Sequence, residues 1–221
     1  MLDYLKNKNK KVLIILDEVD NSLEMKYFIQ GYASLLGQKY SIFLLMTGLY
    51  ENVSKLQNEK LLTFLYIAPK IKLKPLSINS IAYKYSSLLN VEYDLAIELA
   101  KLTKGYAYCY QVLGYLLYKN KKATIDEQIL SELDQYLFEY VYEKVYFEIS
   151  NKCKEILLTI KDDKPIKIED IANKINKTTK YISVYRDILI KEGILFSPSY
   201  GYVQFLLPRF DNFLKTKLSI K

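Results

Sequence analysis

The sequence predicts a chain in three parts: an α/β segment of about three strands, an all-helical segment, and a small helical domain closed by a β-hairpin. Three observations predict it. Short apolar runs, VLIIL at 12–16 and IFLLM at 42–46, alternate with helical spacing over the first 76 residues, which is the order of an α/β sheet. From Ser77 helical spacing takes over until Gly193, where a strand pattern returns. Charge is also uneven, with 18 basic and 17 acidic residues in the first 149 positions against 14 and 8 in the last 72. The expected domains are therefore 1–76, 77–149 and 150–221.

The run at 12–16 is a buried strand leading into DEVDNS, and 23–36 follows as a helix. A second strand covers 40–46, a short helix lies near 53–59, and alternating Ile71 and Leu73 suggest a third strand ending at Pro75. The helical part reads as 80–89, 93–102, 106–118 and one long helix from 126 to about 149. Ser77 or Asn79 caps the first of these and Gly105 sits where a helix stops. Leu95, Leu99 and Leu102 have core spacing. In the last part, helices are expected at 152–160, near 168–175 and at 178–192, with NKTT as the turn before the third. Two short strands around SYGY and a closing helix at 209–218 follow. Helix, helix, turn, helix and hairpin is the organisation of a winged helix-turn-helix.

With 221 residues, 50% of them hydrophobic and 26% charged, the chain is globular. No apolar run approaches the roughly 18 residues of a membrane helix. The lysine-rich start lacks the apolar stretch of a secretory signal, so a cytoplasmic setting without membrane contact is expected. Cys109 and Cys153 stand alone in a chain with no histidine, which excludes a CxxC redox pair, a Cys/His zinc site and histidine-based nucleophilic catalysis. Both cysteines are expected to be reduced packing residues.

The apolar run VLIIL ends directly in Asp17 and Glu18, at the carboxyl end of a strand, where open α/β sheets place their ligands. A carboxylate there can hold a magnesium ion while its neighbour polarises water. Equally, the two acids can merely end the strand, with Asp20 or Asn21 capping the next helix. The second strand ends in polar Thr47 at the corresponding edge.

In this order the sequence resembles an ATPase of the AAA-plus and signal-transduction group of P-loop proteins. VLIILDEVD is similar to the Walker B strand and IFLLMTGLYENV to the first-sensor strand. IKLKPLSINSIAYKY is similar to the passage from strand to lid, and LTKGYAYCYQVLGYLL to the second-sensor helix. More narrowly, nearly the whole chain resembles the archaeal-type ATP-binding proteins, found also in bacteria, that carry a winged helix after the lid. The resemblance implies a partial P-loop NTPase sheet of about three strands, an all-α lid and a winged helix-turn-helix domain. It makes Asp17 the magnesium ligand, Glu18 the base that orients water and Thr47 a sensor of the terminal phosphate. Lys104, Gly105 and Tyr106 become nucleotide-contacting lid residues, and ATP with Mg²⁺ the cofactors of the complete family member.

The chain departs from that family at a decisive point. None of its seven glycines stands in G-x-x-x-x-G-K-[ST], the loop whose amides and lysine hold the phosphates. No arginine occurs before Arg186, so the first 149 residues supply no arginine finger. The resemblance places the missing loop and its strand before Met1, between the first-sensor strand and the last strand. The expectation is thus the back part of a longer ATPase, with a partial sheet, an apolar exposed surface, and no hydrolysis by this chain alone.

For the C-terminal domain a basic excess suggests a polyanion. A third helix entering a DNA groove would present Lys177, Thr178, Thr179, Lys180, Tyr181, Ser183 and Arg186. The wing would add Ser199, Tyr200 and Tyr202, with Arg209 near the backbone. Ile182, Tyr185, Leu189 and Ile190 are expected to face the core. Winged helices also dock proteins, in which case an apolar patch should replace the basic face. The 22 tyrosines read as core and interface area more than as base-stacking platforms. The functions in view are a DNA-binding or regulatory portion of an ATP-binding protein, an ATPase completed by a P-loop from upstream sequence or a partner, and a protein-docking module.

Overall fold

The computed structural model describes residues 2–219 and divides into two compact units, Met1–Lys72 and Leu73–Lys221. The first unit begins with a short helix, α1 (Leu2–Asn7), followed by β1 (Val12–Leu16), α2 (Leu23–Gly37), β2 (Ile42–Met46), α3 (Tyr50–Gln57) and a 3-10 turn at Lys60–Leu65. Ser22 starts α2 by accepting a hydrogen bond from the Met25 amide at 3.3 Å, which satisfies one orphan donor of the first turn. The strands β1 and β2 pair in parallel, with Leu13 opposite Phe43 and Ile15 opposite Leu45.

The two faces of this sheet differ. Leu16 and Met46 pack on a small core of Val19, Ile29, Leu56, Leu62 and Leu65. On the opposite face Leu13, Ile15, Phe43 and Leu45 are 59%, 61%, 51% and 45% exposed. Parallel strands are ordinarily covered on both sides, so this is a bare apolar face of the kind expected from the sequence. The expected third strand is not formed. Residues 66–76 have no strand, and Ile71 and Leu73 are 83% and 87% exposed. Their alternation has no neighbouring strand to pair with, and Pro69 and Pro75 remove two ladder donors. The sheet of this unit therefore has two strands instead of about three.

The second unit is built on one continuous core. Its first helices are α4 (Ile78–Leu89), α5 (Tyr93–Leu102), α6 (Ala107–Lys119) and α7 (Glu127–Leu137). The expected long helix is interrupted: α7 passes through a π turn at Phe138–Tyr142 into α8 (Glu143–Glu148), and Ile149 is extended. Next come α9 (Asn151–Leu158), β3 (Ile166–Lys167), α10 (Ile168–Lys174), α11 (Thr179–Lys191), β4 (Leu195–Phe196), β5 (Tyr202–Phe205) and α12 (Phe210–Ser219). β5 is central in an antiparallel sheet of order β3-β5-β4. Buried Leu113, Leu117, Leu133 and Leu137 share a cluster with Ile171, Ile182, Leu189, Phe205 and Phe213, so residues before and after Ser150 are held by the same apolar interior. Among the described residues no helix is long and apolar enough to cross a membrane.

Candidate functional site

At the carboxyl ends of β1 and β2 the backbone is stitched twice: the Thr47 amide donates to Leu16 O and the Val19 amide to Thr47 O, both at 2.9 Å. Gly48 lies against Val19 so closely that a Cβ would stand 2.9 Å from its backbone oxygen. This brings the side chains of Asp17 and Thr47 together. The Thr47 hydroxyl donates to Asp17 Oδ1, and the same oxygen accepts from the Glu18 amide at 3.0 Å. Glu18 has a left-handed backbone (φ 53°), a conformation that costs an ordinary residue about 1–2 kcal/mol. All three side chains are exposed. Beside them, Asp20 accepts from the Ser22 hydroxyl at 2.6 Å and amide at 3.1 Å. Those bonds hold its carboxyl below the usual range.

This arrangement offers one fixed carboxylate oxygen and an adjacent acid. Among the described residues no three Cys, Asp or Glu side chains gather as a metal-binding group. A magnesium nucleotide needs a phosphate cradle as well as a carboxylate, and no glycine-rich phosphate loop occurs in the sequence. The residues present therefore do not fit a resident magnesium nucleotide on their own.

Lys104, Gly105 and Tyr106 lie in the second unit, in the turn between α5 and α6. Buried Thr103 shapes that turn, donating to Ala100 O at 2.7 Å and accepting from the Gly105 amide at 3.2 Å. Gly105 is left-handed (φ +76°), accepts from the Leu76 amide at 2.8 Å, and has Leu76 O only 2.4 Å from where a Cβ would be. Lys104 is committed to an ion pair with Asp163 and donates to Phe205 O at 2.8 Å. Its ammonium thus ties the turn to the end of β5. Tyr106 is half-buried, and burial raises its hydroxyl pKa.

In the C-terminal part, Thr178 caps α11 through the Tyr181 amide at 3.2 Å. Lys177, Thr178, Thr179 and Lys180 are exposed, while Tyr181, Ser183 and Arg186 are partly covered. Ser183 donates back to Thr179 O at 2.9 Å. Arg186 gives Nε and Nη2 to Asp187 Oδ1 at 3.0 and 2.7 Å. On the hairpin Ser199 and Tyr200 are exposed and Tyr202 is half-buried in β5. The Ser197 hydroxyl, 2.8 Å from Ser199 O and 2.9 Å from Tyr202 O, closes the turn.

Arg209, expected near a DNA backbone, is engaged within the protein. Its guanidinium clasps both carboxylate oxygens of Asp134, with Nη2 to Oδ2 at 2.5 Å, and their side chains are 17% and 19% exposed. The hydrogen bond to Asp134 raises its pKa further. One residue earlier, Pro208 O accepts from the buried Tyr142 hydroxyl at 2.6 Å. Arg209 is a joint between α7 and the start of α12, not a surface cation. Of the core assignments in α11, Ile182 and Leu189 are buried and Ile190 is half-buried. Tyr185 is also half-buried, packed beside Tyr181 and approached by Lys152 of α9. Lys152 escaped the sequence reading because nothing in its spacing links it to a helix some 30 residues later.

A family model described as a domain of unknown function (DUF8462) matches residues 139–214. A search of curated proteins finds no match. Among solved structures, the chain matches the Walker-type ATPase PABY2304 of Pyrococcus abyssi with a TM-score of 0.68 at 15% identity, over 97% of this chain and 66% of that one. The chain shares its fold with the part of that protein it covers. The ORC2 protein of Aeropyrum pernix also matches, in its ADP form at a TM-score of 0.48 and 13% identity, covering 99% of this chain and 68% of that one. In that likeness to the Pyrococcus ATPase the chain spans 66% of its length, and what is shared is the fold.

Proposed function

We propose that this chain is the C-terminal portion of an AAA-plus-type ATP-binding protein, and that its own activity is DNA binding through a C-terminal winged helix-turn-helix. The contact between Thr47 and Asp17 carries the first half. In a nucleotide site, a carboxylate at the end of one strand and a hydroxyl at the end of the next are the groups that sense metal and terminal phosphate, and here they touch. Glu18 is the adjacent base, and residues 77–149 act as the lid. Phosphoryl transfer depends on positioning and charge stabilisation of the phosphates, so the chain alone does not turn over ATP. A P-loop from sequence beyond this chain or from a partner polypeptide would restore the site. The bare face of Leu13, Ile15, Phe43 and Leu45 supports this, since a strand and helix bearing that loop would need such a surface.

For the C-terminal domain, the three helices α9, α10 and α11, the β4–β5 hairpin and the exposed cations at the start of α11 support the DNA reading. The protein-docking alternative is favoured by exposed Val184 and Ile188 on α11. A cytoplasmic setting without membrane contact belongs to the same proposal.

Calorimetric titration of MgATP tests the nucleotide half, with the chain alone and with the chain joined to a P-loop-bearing segment. Binding only by the joined form is expected. Binding by the chain alone, abolished in Asp17→Ala, would overturn the assignment and require a nucleotide site built without a P-loop.

A further inference from the structure

Two tyrosines and two lysines form a row on the flank of α11 that faces α9. Tyr181 and Tyr185 are one helical turn apart and their rings lie 4.9 Å centroid to centroid, tilted by 53°. Lys152 Nζ stands 5.8 Å from the Tyr185 ring and Lys177 Nζ 5.8 Å from the Tyr181 ring. Each ammonium is attracted to an aromatic face, and the Tyr185 hydroxyl also bonds to Lys152 and to Tyr181, which links the row while leaving further ammonium protons to donate. Lys152 and Lys177 are exposed, and the row therefore presents charge and phenol hydroxyls along one line. Glu155, one turn after Lys152, is the acid that faces Tyr181.

The outer ridge of α11 has a different chemistry. Lys180, Val184, Asp187, Ile188 and Lys191 form it, with Val184 57% and Ile188 40% exposed. Reading bases in the major groove takes donors and acceptors aimed at base edges. The two middle turns of this ridge offer aliphatic groups and a carboxylate, and the helix's one arginine is held by that carboxylate. Cations and hydroxyls are concentrated instead at the first turn and along the α9 flank. Those are the groups that contact sugar and phosphate.

We propose that the row Lys152, Tyr185, Tyr181 and Lys177 grips the sugar-phosphate backbone of duplex DNA, and that the domain binds duplexes with little discrimination of sequence. The inference rests on the DNA reading of the previous subsection. Lys152 and Lys177 each neutralise a phosphate, while the Tyr181 and Tyr185 hydroxyls donate to phosphate oxygens. Glu155 opposes the contact.

Fluorescence anisotropy with two labelled duplexes of unrelated sequence, over about 50 to 200 mM KCl, reads both parts of the proposal. Lys152→Ala and Lys177→Ala should each make the plot of log affinity against log salt shallower by about 0.9, the value of one phosphate contact. Glu155→Gln should tighten binding. Lys154→Ala, on the same helix but over the Tyr146 ring, should leave the slope unchanged. The two duplexes should differ by less than about tenfold, far below the 10³ or more of sequence-specific binding. Native slopes in both lysine variants, an equal change in Lys154→Ala, or discrimination of 10³ would overturn the proposal. A native chain that binds neither duplex would remove the DNA reading itself, and the row with it.

Discussion

Replacing Arg209 tests whether residues on either side of Ser150 behave as one body. The Arg209–Asp134 pair is bidentate, and both side chains are less than one-fifth exposed. Removing one partner of a fully buried pair costs about 3–5 kcal/mol, because the remaining charge is left unpaired. Discounting for the residual exposure gives about 2–3 kcal/mol for Arg209→Met. In a unit of this size that lowers the midpoint by roughly 5–10 °C. Asp134→Leu combined with Arg209→Met should recover much of the loss, since the pair is then replaced by apolar volume. The backbone gives an independent check: Arg209 is left-handed (φ 57°), so Arg209→Gly should be less destabilising than Arg209→Ala by about 1 kcal/mol. Urea unfolding followed by circular dichroism, with duplex affinity measured on each variant, provides the readouts. A loss under about 0.5 kcal/mol in Arg209→Met, the range of ordinary surface substitutions, would refute the joint. So would loss of DNA affinity in a double variant of native stability, which would return Arg209 to the DNA surface.

Three further outcomes are expected. Gly105→Ala must place a Cβ within 2.4 Å of Leu76 O at a left-handed φ, so it should cost at least about 2 kcal/mol in urea unfolding. The Asp20 carboxyl should titrate by NMR below the usual aspartate range, and Ser22→Ala should move it back up. Because its folded pKa is depressed, the stability it contributes is present above the unfolded value near 3.8 and is lost as pH falls through the folded one. Cys109, whose thiol is pushed up to about 12 by burial, should resist maleimide at pH near 8 until the chain is unfolded, and Cys153, equally buried, should label in the same step.

The parts of the fold legible in the sequence are those with a local signal. VLIIL and IFLLM form β1 and β2, although only one face of the pair is covered; Ser77 caps α4 as its position suggested, while α2 is capped by Ser22 instead of Asp20 or Asn21. The third strand does not form, because alternation at Ile71 and Leu73 describes a strand only if a neighbour pairs with it. The π turn was legible in principle. Buried Ile129, Leu133, Leu137 and Tyr142 are spaced four, four and five, and a step of five is what one wide turn inserts. At the candidate site, the meeting of Asp17 and Thr47 followed from two strands ending at the same edge. The partners of Lys104 and Arg209 did not, because Phe205 and Asp134 lie 101 and 75 residues away and no local pattern encodes them.

The partition of charge bears on the phosphate contact proposed for the α9 flank of α11. Residues 123–148 carry seven acids and one lysine, and the last 72 residues carry the basic excess. Opposite charges on adjacent segments could simply cancel, but the fold spends them selectively. Asp134 takes Arg209 and Glu143 takes Lys217, both where α12 meets the preceding helices, and Asp211 takes Lys215 within α12. The cations removed from circulation are thus those of α12. Lys152, Lys177 and Lys180 have no carboxylate partner among the described residues, and the first two lean on tyrosine rings, which orient a charge without neutralising it. A net charge of +6 spread over a small domain would attract any polyanion weakly and in many poses. The α12 cations are tied up in ion pairs, whereas Lys152 and Lys177 stand open on the α9 flank of α11, and these two are the cations that the proposed phosphate contact requires.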